Sequence, residues 1–314
     1  MSAQFGKVGV LYGGKSAERD VSIMSGTGVH KALRSAGVEA HLFDTGVRSL
    51  AELAEERFDR VFIALHGRYG EDGTIQGALE LLRVPYTGSG PLASALAMDK
   101  TMTKRIWVHE GLPTPRFETL DRRSDLAAVA ARLGLPLIVK PPHEGSTIGV
   151  TKVTDLAGMR AAYDLAAEYD EHVLGEAFIQ GRALTVAVLG TGASARALPV
   201  VEIVAPEGNY DYEHKYFTDD TRYLCPAQLP PAVTQRVQDI SEAAYRVLGC
   251  EGWGRVDVML DADNQPYLLE VNTSPGMTGH SLVPMAAAAD GMNYETLCVE
   301  ILKDARCKVS GRSS

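Results

Sequence analysis

Three short apolar runs near the start of the chain restrict the folds open to it. Val8–Tyr12 ends at Gly13-Gly14, Val38–Phe43 follows a helix-length stretch from about Val21 to Ala36, and Val61–Leu65 ends at His66-Gly67. Runs of strand length that alternate with helix-length segments predict a parallel sheet covered on both faces. Sheets of that kind hold ligands beyond the carboxyl ends of their strands. Gly13-Gly14 and His66-Gly67 therefore mark one edge of a site.

The pattern breaks at Thr87-Gly88-Ser89-Gly90-Pro91, which reads as a linker into a second unit. There, strands are predicted at Leu135–Lys140, Val150–Val153 and His172–Phe178, with a helix over Leu156–Glu168. Further strands are predicted at Leu184–Leu189 and Leu198–Val204. A helix carrying Val233, Val237, Ile240, Ala244 and Val247 on one face follows, with Gly249 as its stop and a frayed tail from about Cys307. A chain of 314 residues holds two or three domains at the usual ~100–200 residues each. The net charge of −9 argues against a nucleic-acid or anionic-membrane surface, both of which reward clustered Lys and Arg. Cys225, Cys250, Cys298 and Cys307 form no C-x-x-C pair and read as reduced thiols of a cytoplasmic protein. The N-terminal apolar run is too short for a signal peptide or a membrane span.

The densest chemistry lies between Arg255 and Asn272. Arg255-Val256-Asp257-Val258-Met259-Leu260 alternates polar and apolar residues, so a strand puts Arg255 and Asp257 on one face. Tyr267–Asn272 does the same for Glu270 and Asn272, and Asp261–Gln265 has a hairpin-turn composition. With Asp263-Asn264 as a two-residue turn, Asp257 lies opposite Glu270 and Arg255 opposite Asn272. Three oxygen donors and one guanidinium then share a patch. Hard oxygen ligands of this kind suit Mg²⁺ shared with phosphate oxygens. A solvated hairpin face with a surface ion pair is the plainer alternative. Against it stand the apolar opposite face and the turn-forming Asn272-Thr273-Ser274-Pro275-Gly276 run, which can aim N–H groups at an anion.

Lys140 closes a strand before His143-Glu144-Gly145-Ser146-Thr147-Ile148-Gly149, a small-residue loop able to cover phosphates while the lysine supplies charge. Lys100 and Lys215 are further phosphate cations in principle, though either alone reads as a surface charge. Gly9–Ser16 satisfies the P-loop pattern G-x-x-x-x-G-K-S letter for letter. Gly9 falls inside the first strand run, however, which leaves only Gly13 onward for a cradle, so the match reads as a false one.

Several longer stretches stand in order along the chain: Gly13–Ser22, Ala64–Arg68, Gly70-Glu71-Asp72-Gly73, Met98-Asp99-Lys100, Trp253–Asp257 and Glu270–Thr278, ahead of Ser281-Leu282. In these the chain resembles the ATP-grasp ligases and, within them, the D-alanine–D-alanine ligases. The resemblance covers nearly the whole chain. It implies an α/β plus α+β architecture: an N-terminal parallel-sheet domain (1–96) that binds substrate, a central ATP-grasp subdomain (97–181) and a C-terminal catalytic one (182–314), the last two sandwiching ATP. The implied activity joins two D-alanines with ATP and Mg²⁺ (or Mn²⁺) through an acyl phosphate, for peptidoglycan precursor synthesis. A homodimer is implied as well.

The resemblance also implies residue roles. Lys100, Lys140, Lys215 and Gly145-Ser146-Thr147 would hold ATP phosphates, and Glu176 the adenine amino group. Asp257, Glu270 and Asn272 would take the metal. Glu18 would bind the ammonium of the first D-Ala, in a hydrogen-bonded network with Ser146 and Tyr216, and His66 would sit near its carboxylate. Arg255 and the Gly276 N–H would face the tetrahedral oxyanion, while Ser281, Leu282 and Lys215 would hold the second substrate. One position departs from the family: Ala183 stands where relatives carry a ribose-binding glutamate.

Overall fold

The computed structural model describes residues 2–145, 148–204 and 221–309. Three sheets organise them. The first contains β1 (Lys7–Tyr12), β2 (Glu39–Asp44) and β3 (Arg60–Ile63) in the order β2-β1-β3, all parallel. Both of its faces are covered, as the apolar runs predict. Val8, Val10, Phe62 and Ala64 enter one core with the Arg19–Ser35 helix, whereas Leu11, Val61, Ile63 and Leu65 enter another with Leu53, Ile75 and Leu79. The first of these cores extends into the C-terminal helices Leu282–Ala289 and Tyr294–Lys303. Of the tail expected to fray from about Cys307, the part up to Lys308 is instead pinned, and residues 310–314 lie outside the described residues. Tyr86 and Arg306 exchange backbone hydrogen bonds, and Lys308 Nζ donates to the Tyr86 carbonyl.

The second sheet has the order β4-β7-β5-β6, from β4 (Phe117–Leu120), β5 (Leu137–Lys140), β6 (Thr151–Val153) and β7 (Val173–Ala177), every pair antiparallel. β4 carries no alternation that sets it apart from a loop, so it is not among the predicted strands. The predicted 156–168 helix divides into a 3₁₀ turn, Leu156–Gly158, and an α-helix, Met159–Ala167.

The third sheet is antiparallel, in the order β11-β10-β8-β12-β13 with β9 on β8. Its strands are β8 (Gly181–Leu189), β9 (Arg196–Ala197), β10 (Val201–Val204), β11 (Arg222–Leu224), β12 (Trp253–Asp261) and β13 (Pro266–Asn272). The strand expected over 198–204 is shortened by Pro199, which has no N–H for a ladder. One face packs on the Pro231–Val247 helix, which buries Val237, Ala244 and Tyr245. Of the predicted stripe, Val247 stays exposed, and Tyr245 takes its place in the core.

Candidate active site

Gly9 lies in mid-strand in β1, where an added Cβ would meet the Phe58 ring at 2.6 Å. Lys15 is exposed, and the following helix starts only at Arg19. The P-loop spelling therefore has no P-loop geometry behind it. What the strand ends present instead is Glu18, the N-cap residue of that helix, with 7% of its surface exposed. A Cβ on Gly67 would lie 2.9 Å from Glu18 Oε2, and one on Gly145 would lie 3.1 Å from the same oxygen. The carboxylate thus sits between the loop after β3 and the loop after β5, and Gly67, at φ +66°, leaves it room.

His66 is buried beside it. Its Nδ1 lies 2.8 Å from the Ser274 carbonyl and its Nε2 3.0 Å from Ser25 Oγ, which also accepts from Met277 N at 3.0 Å. Burial holds the imidazole below its usual range, with Glu18 opposing that effect and Arg255 reinforcing it. Glu71 accepts from Gly67 N at 2.9 Å, and burial together with the nearby Glu18 charge pushes its carboxyl up to about 8. Glu71 belongs to a motif visible in the sequence but has no role in the reading of it.

The hairpin reaches its expected pairing by an unexpected route. Arg255 pairs with Asn272 and Asp257 with Glu270. The turn, however, has three residues: Asp261 N donates to Gln265 O, and Asn264 adopts φ +57°. That turn alone would misplace the partners by one, and a β-bulge at Leu269 takes up the difference. Leu269 and Glu270 consequently both lie on the half-buried side, while Leu268 and Val271 face the core. Asp257 accepts from Arg255 Nε and NH2 at 2.8 Å each, from Thr185 Oγ1 at 2.6 Å and from Asn272 Nδ2 at 3.4 Å. Glu270 Oε2 lies 3.3 Å from Lys100 Nζ, which donates to the Glu144 carbonyl at 2.8 Å. Among the described residues no group of three or more His, Cys, Asp and Glu is disposed to hold a metal. Two carboxylates and an amide on one half-buried face are the donor set of an ion that completes its shell with phosphate and water, so these residues fit Mg²⁺.

A second charged cluster lies in the second sheet. Glu176 on β7 has 3% of its surface exposed; Lys140 Nζ is 3.0 Å from its Oε1, and Lys104 Nζ meets its Oε2. Burial pushes the Glu176 carboxyl up, but the two lysines outweigh it and hold it below the usual range. Burial also pushes Lys104 down to about 8 in spite of that partner. Lys104 was missed in the sequence, although its place four residues after Lys100 puts both on one helix face. Thr185 was missed too, since nothing marks a strand threonine as a carboxylate's partner.

The loop after β5 is held at His143 and Glu144. Arg68 Nε donates to Glu144 Oε1 at 2.7 Å, and His143 stands between Asp170 (3.0 Å) and Asp99 (3.5 Å). Those aspartates, Asp170 first, push the imidazole up to about 9. Ser281 is the N-cap residue of the Leu282–Ala289 helix; its Oγ accepts from Thr278 N at 2.8 Å, and Leu282 packs into the first core. Gly276 lies half-buried in the turn between Pro275 and Met277. Ala183 pairs with Met259 and Ile203, and no carboxylate takes its place on the strand. Ser146, Thr147, Lys215 and Tyr216 lie outside the described residues.

Residues 106–303 match the family model "D-ala D-ala ligase C-terminus", and residues 45–89 match "D-ala D-ala ligase N-terminus". The chain belongs to the D-alanine–D-alanine ligase family. Among ligases of that family, the D-alanine–D-alanine ligase of Bordetella pertussis is 71% identical over 98% of each chain. That of Herminiimonas arsenicoxydans is 61% identical over 100% of this chain and 95% of its own. A solved D-alanine–D-alanine ligase of Bacillus anthracis, complexed with ATP, superposes with TM-score 0.82 at 34% identity, over 95% of this chain and 96% of that one. With the family comes the ATP-grasp fold, and the three sheets have that arrangement.

Proposed function

We propose that this chain joins two D-alanines into D-alanyl-D-alanine at the expense of ATP, supplying a peptidoglycan precursor. The observation that carries the reading is the hairpin face of Arg255, Asp257, Glu270 and Asn272, with Lys100 bridging it to the loop after β5. A carboxylate is a poor electrophile, and transfer of the γ-phosphoryl group to it makes an acyl phosphate open to attack by an amine. Asp257, Glu270 and Asn272 would hold Mg²⁺ or Mn²⁺, which when bound neutralises phosphate charge.

This chain's own residues do the rest. Lys100 and Lys140 bring cations to the phosphates, and the N–H groups of the loop from Gly145 are assigned to the same phosphates. Glu176 accepts from the adenine amino group. Glu18 takes the ammonium of the first D-Ala in its buried niche, with Ser146 and Tyr216 as the further partners that the family resemblance implies. His66, held from both ring nitrogens, sits at that substrate's carboxylate. Arg255 and the Gly276 N–H would stabilise the tetrahedral oxyanion; for this, Arg255 turns part of its hydrogen bonding from Asp257 to the substrate. Ser281, Lys215 and the Leu282 helix start would receive the second D-Ala. The division into units 1–96, 97–181 and 182–314, a cytoplasmic setting and a homodimer belong to the same reading.

Phosphate release with and without D-Ala tests it. Release that depends on D-Ala and matches dipeptide formation is expected. Release independent of D-Ala but lost in Lys15→Ala would instead indicate an NTPase acting through the Gly9–Ser16 segment.

A further inference from the structure

Lys104 has no part in that mechanism, yet it is buried without any exposed surface. An ammonium stripped of water is costly unless it neutralises a partner. Its Nζ ion-pairs with Glu176 Oε2, lies 2.7 Å from Thr114 Oγ1 and reaches the Leu268 carbonyl at 3.5 Å. Thr114 Oγ1 donates to the same carbonyl at 2.8 Å. The ammonium is therefore anchored to the second sheet through β7 and to the third through β13. Apart from this ion pair no donor reaches Glu176 Oε2 among the described residues.

The two lysines on Glu176 are not equivalent. Lys140 ends β5 beside the phosphate loop and keeps some exposure, so it can turn toward an incoming nucleotide. Lys104 is sealed in and has nowhere else to go. Once Lys140 engages phosphate, Lys104 is the remaining countercharge that keeps Glu176 ionised in a buried site.

The protonation state of that carboxylate decides which purine it can accept. A 6-amino group offers donors and needs an acceptor, whereas a 6-keto group offers an acceptor and needs a donor. An ionised carboxylate only accepts; a protonated one carries an O–H that can donate. We propose that Lys104 is a positioning residue for base selectivity, holding Glu176 as an ionised acceptor for the 6-amino group of ATP and against 6-keto nucleoside triphosphates. The proposal rests on the reading of Glu176 as the adenine contact.

The test is the ratio of kcat/KM for ATP to that for inosine triphosphate, measured with D-Ala in excess on the full chain. Lys104→Met is expected to lower this ratio at least about tenfold, chiefly through the nucleotide KM. Thr114→Val, which removes one anchor of the ammonium, is expected to lower it by about threefold, and it serves if Lys104→Met does not fold. A merely structural role for Lys104 would lower both activities together and leave the ratio alone. Glu176→Gln, whose amide both donates and accepts, separates the two ideas. A ratio that falls in Glu176→Gln and falls no further on adding Lys104→Met supports the proposal. A ratio that falls in Glu176→Gln but holds in Lys104→Met, or in Thr114→Val where that variant stands in, overturns the proposal and leaves the adenine contact standing. A ratio unchanged in Glu176→Gln removes the adenine contact and the proposal with it.

Discussion

The face of β12 and β13 and the pocket around Glu176 use the same kinds of charge in opposite ways. On the hairpin, the side chains of Arg255, Asp257 and Glu270 keep 15–22% of their surface, enough for a hydrated ion and a phosphate to join them. Around Glu176, Lys104 has none and the carboxylate has 4%. On the proposed mechanism the first is a place where partners are exchanged during a reaction; the second is already neutralised and dry. Damage to the hairpin face should therefore cost rate, and damage to the pocket should cost recognition.

The largest effect expected is on the hairpin. Asp257→Ala or Glu270→Ala should abolish Mg²⁺-dependent dipeptide formation while the circular dichroism spectrum stays native; near-normal product from either purified variant would erase the contrast. Next comes Arg255→Ala, with a fall in kcat of roughly 10²–10³-fold, because an oxyanion donor acts mainly in the transition state. A change confined to KM would move Arg255 to the binding side of the comparison. Ala183→Glu probes recognition from β8, next to both regions. A restored charge-assisted hydrogen bond to ribose is worth about 1.5–3 kcal/mol at best in ATP affinity. Calorimetry showing equal or weaker ATP binding would mean that the ribose is held in another way.

The smallest effect expected is in the loop that joins the two regions. Since Asp170 and Asp99 raise His143 above its unfolded value of 6.5 to about 9, its contribution to stability is complete below pH 6.5 and fades as pH rises through 9. Both aspartates are held below their usual value, so their share fades only when pH falls through that lowered range. His143→Gln should thus lose about 1 kcal/mol at pH 6, after allowance for the imidazole's partial exposure, and almost nothing at pH 10. Thermal melts of both proteins across that interval decide it; a difference that persists at pH 10 would point to packing instead of charge.

The same contrast explains what could be read from the sequence. The hairpin face was legible because strand alternation turns a local spelling into a shared surface, and Arg255, Asp257, Glu270 and Asn272 lie within eighteen consecutive positions. Even there the turn was misread: Asn264 in a left-handed conformation and the bulge at Leu269 offset each other, and alternation alone reveals neither. The parallel sheet was legible from runs buried on both sides. The pocket was legible only through the family resemblance, which names Lys140 and Glu176; Lys104 escaped because a lysine in a helix looks like a solvated charge until its surroundings are known. β4 and the helices Thr74–Leu82 and Pro91–Met98 escaped because each is short, four to nine residues, which leaves too few positions for a period to stand out.

The anchoring of Lys104 also has a consequence for the order in which the molecule forms. Its contact with Leu268 spans 164 positions, and the Thr114–Leu268 bond spans 154. A chain still emerging from synthesis has Lys104, Lys140 and Glu176 in hand well before the strand that completes their surroundings exists. Contacts of such long range close late, because the intervening loop must be paid for first. Until then the ammonium is open to water and the carboxylate has no dry niche. If Glu176 is the adenine contact as proposed, ATP would thus find that pocket only on a chain whose last sheet has docked, so nucleotide capture would report that assembly is finished.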